Sequence, residues 1–302
     1  MQAAHRFSFS KRRALQIACL AATILFGQAG FALPGLEPVS ALVANGKDQV
    51  EVWSQGTGRL LVMLPSAARG ADDYDAAAVV LAAQGFRVLR PEPRGSGRTT
   101  GPHIGVSLQD LASDVAAVIR SENSGPAILV GHAAGSFVAR MTAVEYPGLV
   151  SGVVLAAAGA RNYPIELNAV VQKVGLPGLP DEERIRYLKQ GFFAPGNDVA
   201  PWLTGWRKLI KFGTGGGPPS VAERELWWGA GNKPVLEIQG LSDPFKPPPT
   251  LGEYKAEYGE RVTVVQIRNA SHALFPEQLQ AVTSAIAQWS KSIFTKESKG
   301  DR

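Results

Sequence analysis

The segment Ile128-Leu129-Val130-Gly131-His132-Ala133-Ala134-Gly135-Ser136 runs from apolar residues into two closely spaced glycines. Such a run, punctuated in this way, predicts a strand that turns sharply into a helix. The spacing matches Gly-x-Ser-x-Gly, the turn at which a strand presents a nucleophilic serine. The central residue here is Ala133. The sequence therefore predicts the turn without the hydroxyl that usually gives it its function.

Short β-like runs alternate with helical ones on both sides of this turn. Such alternation is typical of βαβ units, and it predicts an α/β fold with a mostly parallel central sheet flanked by helices. The last helix is expected over about 278–289, with the charged tail 291–302 frayed. The expected strands are Val50–Trp53, Leu60–Leu64, Phe86–Leu89, Ala127–Val130, Val153–Leu155, Val235–Ile238 and Val262–Val265; the other expected helices are Tyr74–Gln84, one containing Leu108–Ile119, and Ala134–Val144.

The alternation stops between Gly159 and Lys233. We interpret this part as a helical insert at about 160–232, with the glycine run 213–217 as a joint. It contains four of the six tryptophans. We expect these tryptophans to pack within the insert, where they could also roof a ligand pocket.

The N-terminal 32 residues have the order of a secretory signal peptide. Basic residues at 11–13 precede an apolar run, and small-residue cleavage sites follow, ending at Ala29 and Ala32. The sequence thus predicts export to the periplasm or beyond, by the Sec or the twin-arginine route. The apolar run is too short for a comfortable membrane span, so we expect no stable span after cleavage.

Removal of this segment changes the charge and the cysteine content. It takes away Arg6, Lys11, Arg12 and Arg13, so 31 basic residues become 27 against 26 acidic ones, a formal charge of +1. No basic stripe indicates a nucleic-acid partner. The segment also contains Cys19, the one cysteine of the chain, which excludes thiol chemistry in the mature protein. No ligand-spacing motif predicts a metal or another cofactor.

Two further candidates follow predicted strands. Asp243 lies in Gly240-Leu241-Ser242-Asp243-Pro244, directly after one strand, and His272 lies after the next strand and before the last helix. The carboxyl ends of parallel strands share the edge of the sheet where ligands bind. The order turn, aspartate, histidine is that of a catalytic triad on this kind of fold.

With these residues the chain resembles the α/β-hydrolase superfamily over nearly all of 33–302. Glu92-Pro93-Arg94-Gly95-Ser96-Gly97 is similar to the Asp-x-Arg-Gly-x-Gly loop of that family, and Pro65-Ser66 stands in place of its His-Gly. The resemblance implies an acid at Asp243, a base at His272, and an oxyanion hole formed by the backbone amides of Ala67 and Ala134. It also implies that the insert is the cap. Ala133 departs from the pattern, so no acyl-enzyme can form there.

Three functions remain open. The first is hydrolysis of a small ester, lactone or related carbonyl substrate by the His272–Asp243 dyad and the oxyanion hole, without a serine nucleophile. The second is a non-catalytic scaffold that binds a small ligand. The third is a serine hydrolase that uses Ser66 as a substitute hydroxyl. Dismantled triads keep about 10³–10⁴-fold acceleration over water, which makes the first function physically permissible.

Overall fold

The computed structural model describes residues 37–212 and 221–300. The predicted signal peptide, at 1–32, and the glycine run of the insert lie outside the described residues. None of the helices within those ranges combines the length and the hydropathy that a membrane crossing requires.

Among the described residues, eight strands form one sheet in the order β1-β2-β4-β3-β6-β7-β9-β10. The pairs β1–β2 and β2–β4 are antiparallel, and all the others are parallel. The predicted mostly parallel central sheet is therefore confirmed. The strands are β1 Val39–Asn45, β2 Asp48–Gln55, β3 Arg59–Leu64, β4 Phe86–Pro91, β5 Ile104–Val106, β6 Ala127–His132, β7 Val150–Ala156, β8 Lys211–Phe212, β9 Val235–Gly240 and β10 Val262–Ile267.

Helices cover both faces of this sheet. Consecutive residues of β3 point to opposite faces, so Val62 lies in one hydrophobic cluster with α2 and α3, and Met63 lies in another with α1 and α8. A strand that is buried on both faces has no polar alternation, which explains why β3 and β6 read as continuous apolar runs. The helices are α1 Asp75–Ala83, α2 Leu108–Ser121, α3 Gly135–Glu145, α4 Leu167–Val174, α5 Asp181–Gly191, α6 Val221–Trp227, α7 Glu253–Tyr258 and α8 Leu274–Gly300.

The predicted fraying of the C-terminal tail is wrong. Helix α8 continues to residue 300, with one non-helical residue, Gln278, near its start. Ile293 and Phe294 are buried, and the guanidinium of Arg59 lies 4.2 Å from the centre of the Phe294 ring. Because these two adjacent apolar side chains are buried, one face of the tail packs on the domain and holds it as helix.

The tryptophans of the insert separate into two groups. Trp202 and Trp206 pack with α4 and α5 in a cluster that also contains Phe245, as expected. Trp227 and Trp228, by contrast, lie in the core cluster beneath the sheet, with α2 and α3. The expectation that all four pack within the insert is therefore wrong for the second pair.

Candidate active site

The turn after β6 has the elbow backbone that the sequence predicts. Strand β6 ends at His132, Ala133 has a φ of +49°, and α3 begins at Gly135. A Cβ at Gly131 would lie 2.6 Å from the carbonyl oxygen of Gly135, and a Cβ at Gly135 would lie 2.3 Å from that of Leu64. Both positions thus exclude any side chain. The turn is retained with a methyl group at its tip.

The structure brings Asp243 and His272 together. Asp243 follows β9 and His272 follows β10, and the His272 Nδ1 atom lies 3.0 Å from Asp243 Oδ2 and 3.2 Å from Oδ1. The Phe245 backbone N–H donates to Asp243 Oδ1 at 2.9 Å, and the Phe245 ring packs on the imidazole with centres 4.3 Å apart. Asp243 is 3% exposed. Because Nδ1 faces the carboxylate, Nε2 is the nitrogen that remains for a ligand.

A cavity of about 160 Å³, here called the His272 chamber, joins the predicted site residues. Ser66, Ala67, Ala133, Ala134 and His272 all line it. The remaining wall contains five aromatic side chains, and most of it comes from the insert. It consists of Phe137, Gly159, Tyr163, Asn168, Val171, Gln172, Phe192, Leu209, Ile210, Phe212 and Phe245. The methyl of Ala133 therefore faces a space in which a small carbonyl compound or a water molecule fits.

The two predicted oxyanion donors line the same chamber. Within residues 37–212 and 221–300, the backbone amides of Ala67 and Ala134 donate to no carbonyl or side chain. The neighbouring amide of Ser66 is instead taken, because it donates to the Tyr74 hydroxyl at 3.1 Å. Two free amides beside one cavity can stabilise a developing negative charge on a carbonyl oxygen.

A buried hydrogen-bond chain links the oxyanion loop to His272, and sequence reasoning missed it. The Tyr74 Oη and His132 Nδ1 atoms are 2.7 Å apart, and His132 Nε2 lies 2.7 Å from the carbonyl oxygen of His272. Burial, with the nearby His272 and Arg69, lowers the pKa of His132 to about 3, so the ring is neutral. A neutral ring whose Nε2–H donates to the carbonyl must accept the Tyr74 proton at Nδ1.

The remaining hydroxyls lack the surroundings of a nucleophile. Ser66 lines the chamber, but its hydroxyl has no hydrogen bond to His272 or to another described base. Ser136, one turn beyond the elbow, is buried against Arg140 and does not line the chamber. In the described part of the chain, no cluster of three or more His, Cys, Asp or Glu side chains could hold a metal ion.

Comparisons with known proteins bear on the family and the fold. The family model described as alpha/beta hydrolase family matches residues 61–285. The chain is 30% identical to 2-(acetamidomethylene)succinate hydrolase of Mesorhizobium japonicum over 116 residues, 38% of this chain and only 41% of that relative. It is 27% identical to the pyrethroid hydrolase of Sphingobium wenxiniae over 238 residues, 72% of this chain and 82% of the relative.

Solved structures share the fold. An esterase from Thermogutta terrifontis matches 85% of this chain and 99% of its own, with a TM-score of 0.66 and 23% sequence identity. At this identity the likeness concerns the fold alone. The alpha/beta hydrolase family and its fold are thus supported by the family match, and the fold by the structural match.

Proposed function

The chain belongs to the alpha/beta hydrolase family, and from that premise we propose that it hydrolyses a small ester, lactone or related carbonyl substrate without a serine nucleophile. The observation that carries this proposal is the position of His272, which contacts Asp243 at 3.0 Å and lines one chamber with Ala133 and the Ala67 and Ala134 amides. A base, its orienting acid and two free donors surround one cavity. Relatives named as hydrolases support the same class of chemistry.

In the proposed reaction, water takes the place of the missing serine. The Nε2 atom of His272 accepts a proton from this water, whose oxygen attacks the carbonyl carbon of the substrate. The charge that develops on the carbonyl oxygen is stabilised by the N–H groups of Ala67 and Ala134. Collapse of the intermediate breaks the carbon–oxygen bond of the ester, and the leaving alkoxide takes the proton back from Nε2.

Asp243 has an orienting role in this mechanism. Its carboxylate accepts the Nδ1–H of His272, which fixes the tautomer that leaves Nε2 free to accept a proton. The Phe245 amide holds the carboxylate in turn. A positioned base contributes typically 10²–10⁴-fold, in addition to the contribution of an oxyanion hole.

The test is a screen of esters and lactones with the wild-type protein, His272→Ala and a matched histidine control. His103→Ala is that control, because His103 does not line the His272 chamber and does not belong to the His272–Asp243 pair. We expect turnover by the wild type and His103→Ala, and its loss in His272→Ala. A fluorophosphonate probe should leave the wild type unlabelled. Labelling that Ser66→Ala removes would instead assign the reaction to Ser66.

A non-catalytic ligand-binding protein is the alternative, favoured by the methyl group of Ala133 at the place of the nucleophile. It differs from the enzyme in one outcome. Compounds from the screen would raise the melting temperature without being consumed, equally with and without His272.

We further propose that the protein is exported, on the basis of the signal-like order of residues 1–32. Expression of the full chain followed by cell fractionation and mass spectrometry tests this. The expected product lies outside the cytoplasm and starts at Gly30 or Leu33. Recovery of the intact chain from the cytoplasm would contradict it.

A further inference from the structure

A second cavity, here called the Glu92 chamber, adjoins the His272 chamber. Its volume is about 120 Å³. The two chambers share Ser66, Ala67 and Ala134, and both are also lined by the segment 209–212 through Leu209, Ile210 and Phe212. The proposed oxyanion donors therefore lie where the chambers meet. A carbonyl group held by those amides can extend one substituent into each chamber.

The volumes favour a ligand with two arms. An apolar cavity of about 150 Å³ holds one benzene molecule, so the His272 chamber accommodates a ring and the Glu92 chamber a somewhat smaller group. Pockets for drug-sized ligands begin at roughly 300 Å³. Neither chamber reaches that size alone, whereas the two together come close to it.

The two chambers differ in the chemistry of their walls. Consecutive residues of α3 show this, since Phe137 lines the His272 chamber and Val138 lines the Glu92 chamber. Aromatic rings dominate the first. The second is mainly aliphatic and proline-lined, with Val50, Leu64, Pro65, Pro91, Pro93, Leu111, Val115 and Val138. It also contains Phe212 and the charged residues Arg69, Glu92, Arg94, Asp114 and Lys208. An aromatic arm matches the first wall and an aliphatic arm the second.

The carboxyl group of Glu92, which lines the second chamber, has one oxygen without a partner. Glu92 is only 6% exposed, and its Oε2 atom has no hydrogen-bond partner in the described residues. Burial raises the pKa of this carboxyl; the Ala71 amide and Arg207 oppose the shift, while Asp72 and Glu51 add to it. The neighbouring Arg94 is engaged by Asp114, at 2.6 and 2.9 Å. A buried acceptor without a partner gains from a donor that a ligand brings.

We propose that the Glu92 chamber is a second substrate subsite, which holds an aliphatic arm ending in a hydrogen-bond donor, a hydroxyl or an amine. The aromatic arm of the same substrate then occupies the His272 chamber, and its carbonyl group lies between them at Ala67 and Ala134. This inference rests on the proposed function for the place of the carbonyl group. It adds the substrate class: an aryl-substituted carbonyl compound with a short, donor-terminated chain.

The experiment measures binding rather than turnover, so that it remains informative if hydrolysis fails. The probes are phenylacetamide and its N-butyl, N-(ω-hydroxybutyl) and N-(ω-aminobutyl) derivatives, which are amides and resist hydrolysis. Isothermal titration calorimetry on the wild type gives the four Kd values. We expect one or both donor-terminated probes to bind about tenfold more tightly than the N-butyl probe, which is the scale of one hydrogen bond to a charged group.

Two substitutions of Glu92 identify the donor. Glu92→Leu should abolish the preference for a donor. Glu92→Gln keeps an acceptor oxygen but removes the charge, so it should retain the preference for a hydroxyl and lose that for an ammonium group. Preference for the hydroxyl probe alone assigns a neutral arm, and preference for the amine probe alone assigns a cationic one.

A matched pair of bulky substitutions separates the chambers. Val138→Phe narrows the Glu92 chamber and should remove the affinity gained by the butyl chain, with phenylacetamide unaffected. Val171→Phe narrows the His272 chamber and should weaken all four probes. Both side chains are half-buried, and thermal unfolding checks that the variants fold. The comparison of the four probes on the wild-type protein does not depend on whether any variant folds.

The inference is overturned if the four probes bind with one affinity, if none binds, or if Glu92→Leu keeps the donor preference. Failure of the proposed function has a different signature. In that case the probes bind in the expected order, while no ester of the same aryl and alkyl groups is hydrolysed.

Discussion

His132 Nε2 lies 2.7 Å from the carbonyl oxygen of His272, so the ring that precedes the elbow holds the backbone of the proposed base. Its other nitrogen contacts the Tyr74 hydroxyl, which accepts the Ser66 amide. One buried chain thereby connects the oxyanion loop, the elbow and the dyad. It fixes the relative position of three loops that come from distant parts of the sequence.

Removal of the Tyr74 hydroxyl tests this chain. Tyr74→Phe leaves the ring in its cluster but orphans the Ser66 amide and His132 Nδ1, so we expect a loss of about 1–3 kcal/mol in the free energy of unfolding. Where a substrate is known, kcat should fall with little change in KM, because the loops that carry the reacting groups lose alignment. Denaturant unfolding and steady-state kinetics measure the two effects.

The matched control is Tyr163→Phe. Tyr163 is a half-buried residue of the His272 chamber, and its hydroxyl donates only to Asn168 Oδ1, at 2.8 Å. Tyr163→Phe should lower the free energy of unfolding by less than Tyr74→Phe does. Equal effects of the two substitutions would mean that the chain contributes nothing beyond an ordinary hydrogen bond.

His132 also predicts an acid dependence of stability. Its pKa is about 3 in the folded protein and 6.5 in an unfolded chain, so between these values only the unfolded state binds the proton. Above pH 6.5 the ring is neutral in both states and costs no stability. Below pH 6.5 the free energy of unfolding falls by about 1.4 kcal/mol per pH unit, because the unfolded state binds one more proton. His132→Gln should be less stable at pH 7 and should lose stability less steeply below pH 6.5.

Chemical unfolding at several pH values between 7 and 4 measures that slope, with His103→Gln as the histidine control. Identical slopes for the wild type and His132→Gln would show that the buried ring does titrate in the folded state, against the expectation.

The sequence predicts those parts of the site that depend on local pattern. Glycines at 131 and 135 mark the elbow because nothing else fits beside the Gly135 and Leu64 carbonyls. Asp243 and His272 can be placed because parallel strands end at one edge of the sheet. Ser107 and Asp110 cap α2 reciprocally, as their spacing of three residues indicates.

Other features have no local signal. The contact between Tyr74 and His132 spans 58 residues and depends on the tertiary packing of the turn Ala71–Tyr74, which precedes α1. Strand β1 was not predicted, because its residues alternate only weakly between exposed and half-buried at the edge of the sheet. Trp227 and Trp228 looked like parts of the insert, and only tertiary packing places them in the main core.

A buried ion pair beside the dyad predicts a large effect on stability. Lys246 Nζ lies 2.9 Å from Glu237 Oε1, with both side chains almost fully buried, and 3.1 Å from Oε1 of the partly exposed Glu253. The backbone amide of Lys246 donates to the carbonyl oxygen of Asp243 at 3.0 Å. Lys246→Met leaves the Glu237 carboxylate buried without its partner, so we expect a loss of about 3–5 kcal/mol.

Lys255→Met is the surface control, since Lys255 and Glu260 are exposed and 3.4 Å apart. It should lower the free energy of unfolding by no more than about 1 kcal/mol. The double variant Lys246→Met with Glu237→Leu should recover most of the loss in denaturant unfolding. If the double variant is no more stable than Lys246→Met, the loss does not arise from the unpaired charge of Glu237.

Restoration of the nucleophile tests the whole assembly at once. The elbow backbone is already formed, with a φ of +49° at Ala133, and the residue faces the His272 chamber, so Ala133→Ser adds one hydroxyl to an existing site. Fluorophosphonate labelling should appear, and hydrolysis of simple esters should rise at least about a hundredfold through an acyl-enzyme. Ala133→Ser combined with His272→Ala should lose both gains, whereas Ala133→Ser combined with Ser66→Ala should keep them. A correctly folded Ala133→Ser protein that neither labels nor turns over would mean that His272 Nε2 does not reach the tip of the elbow.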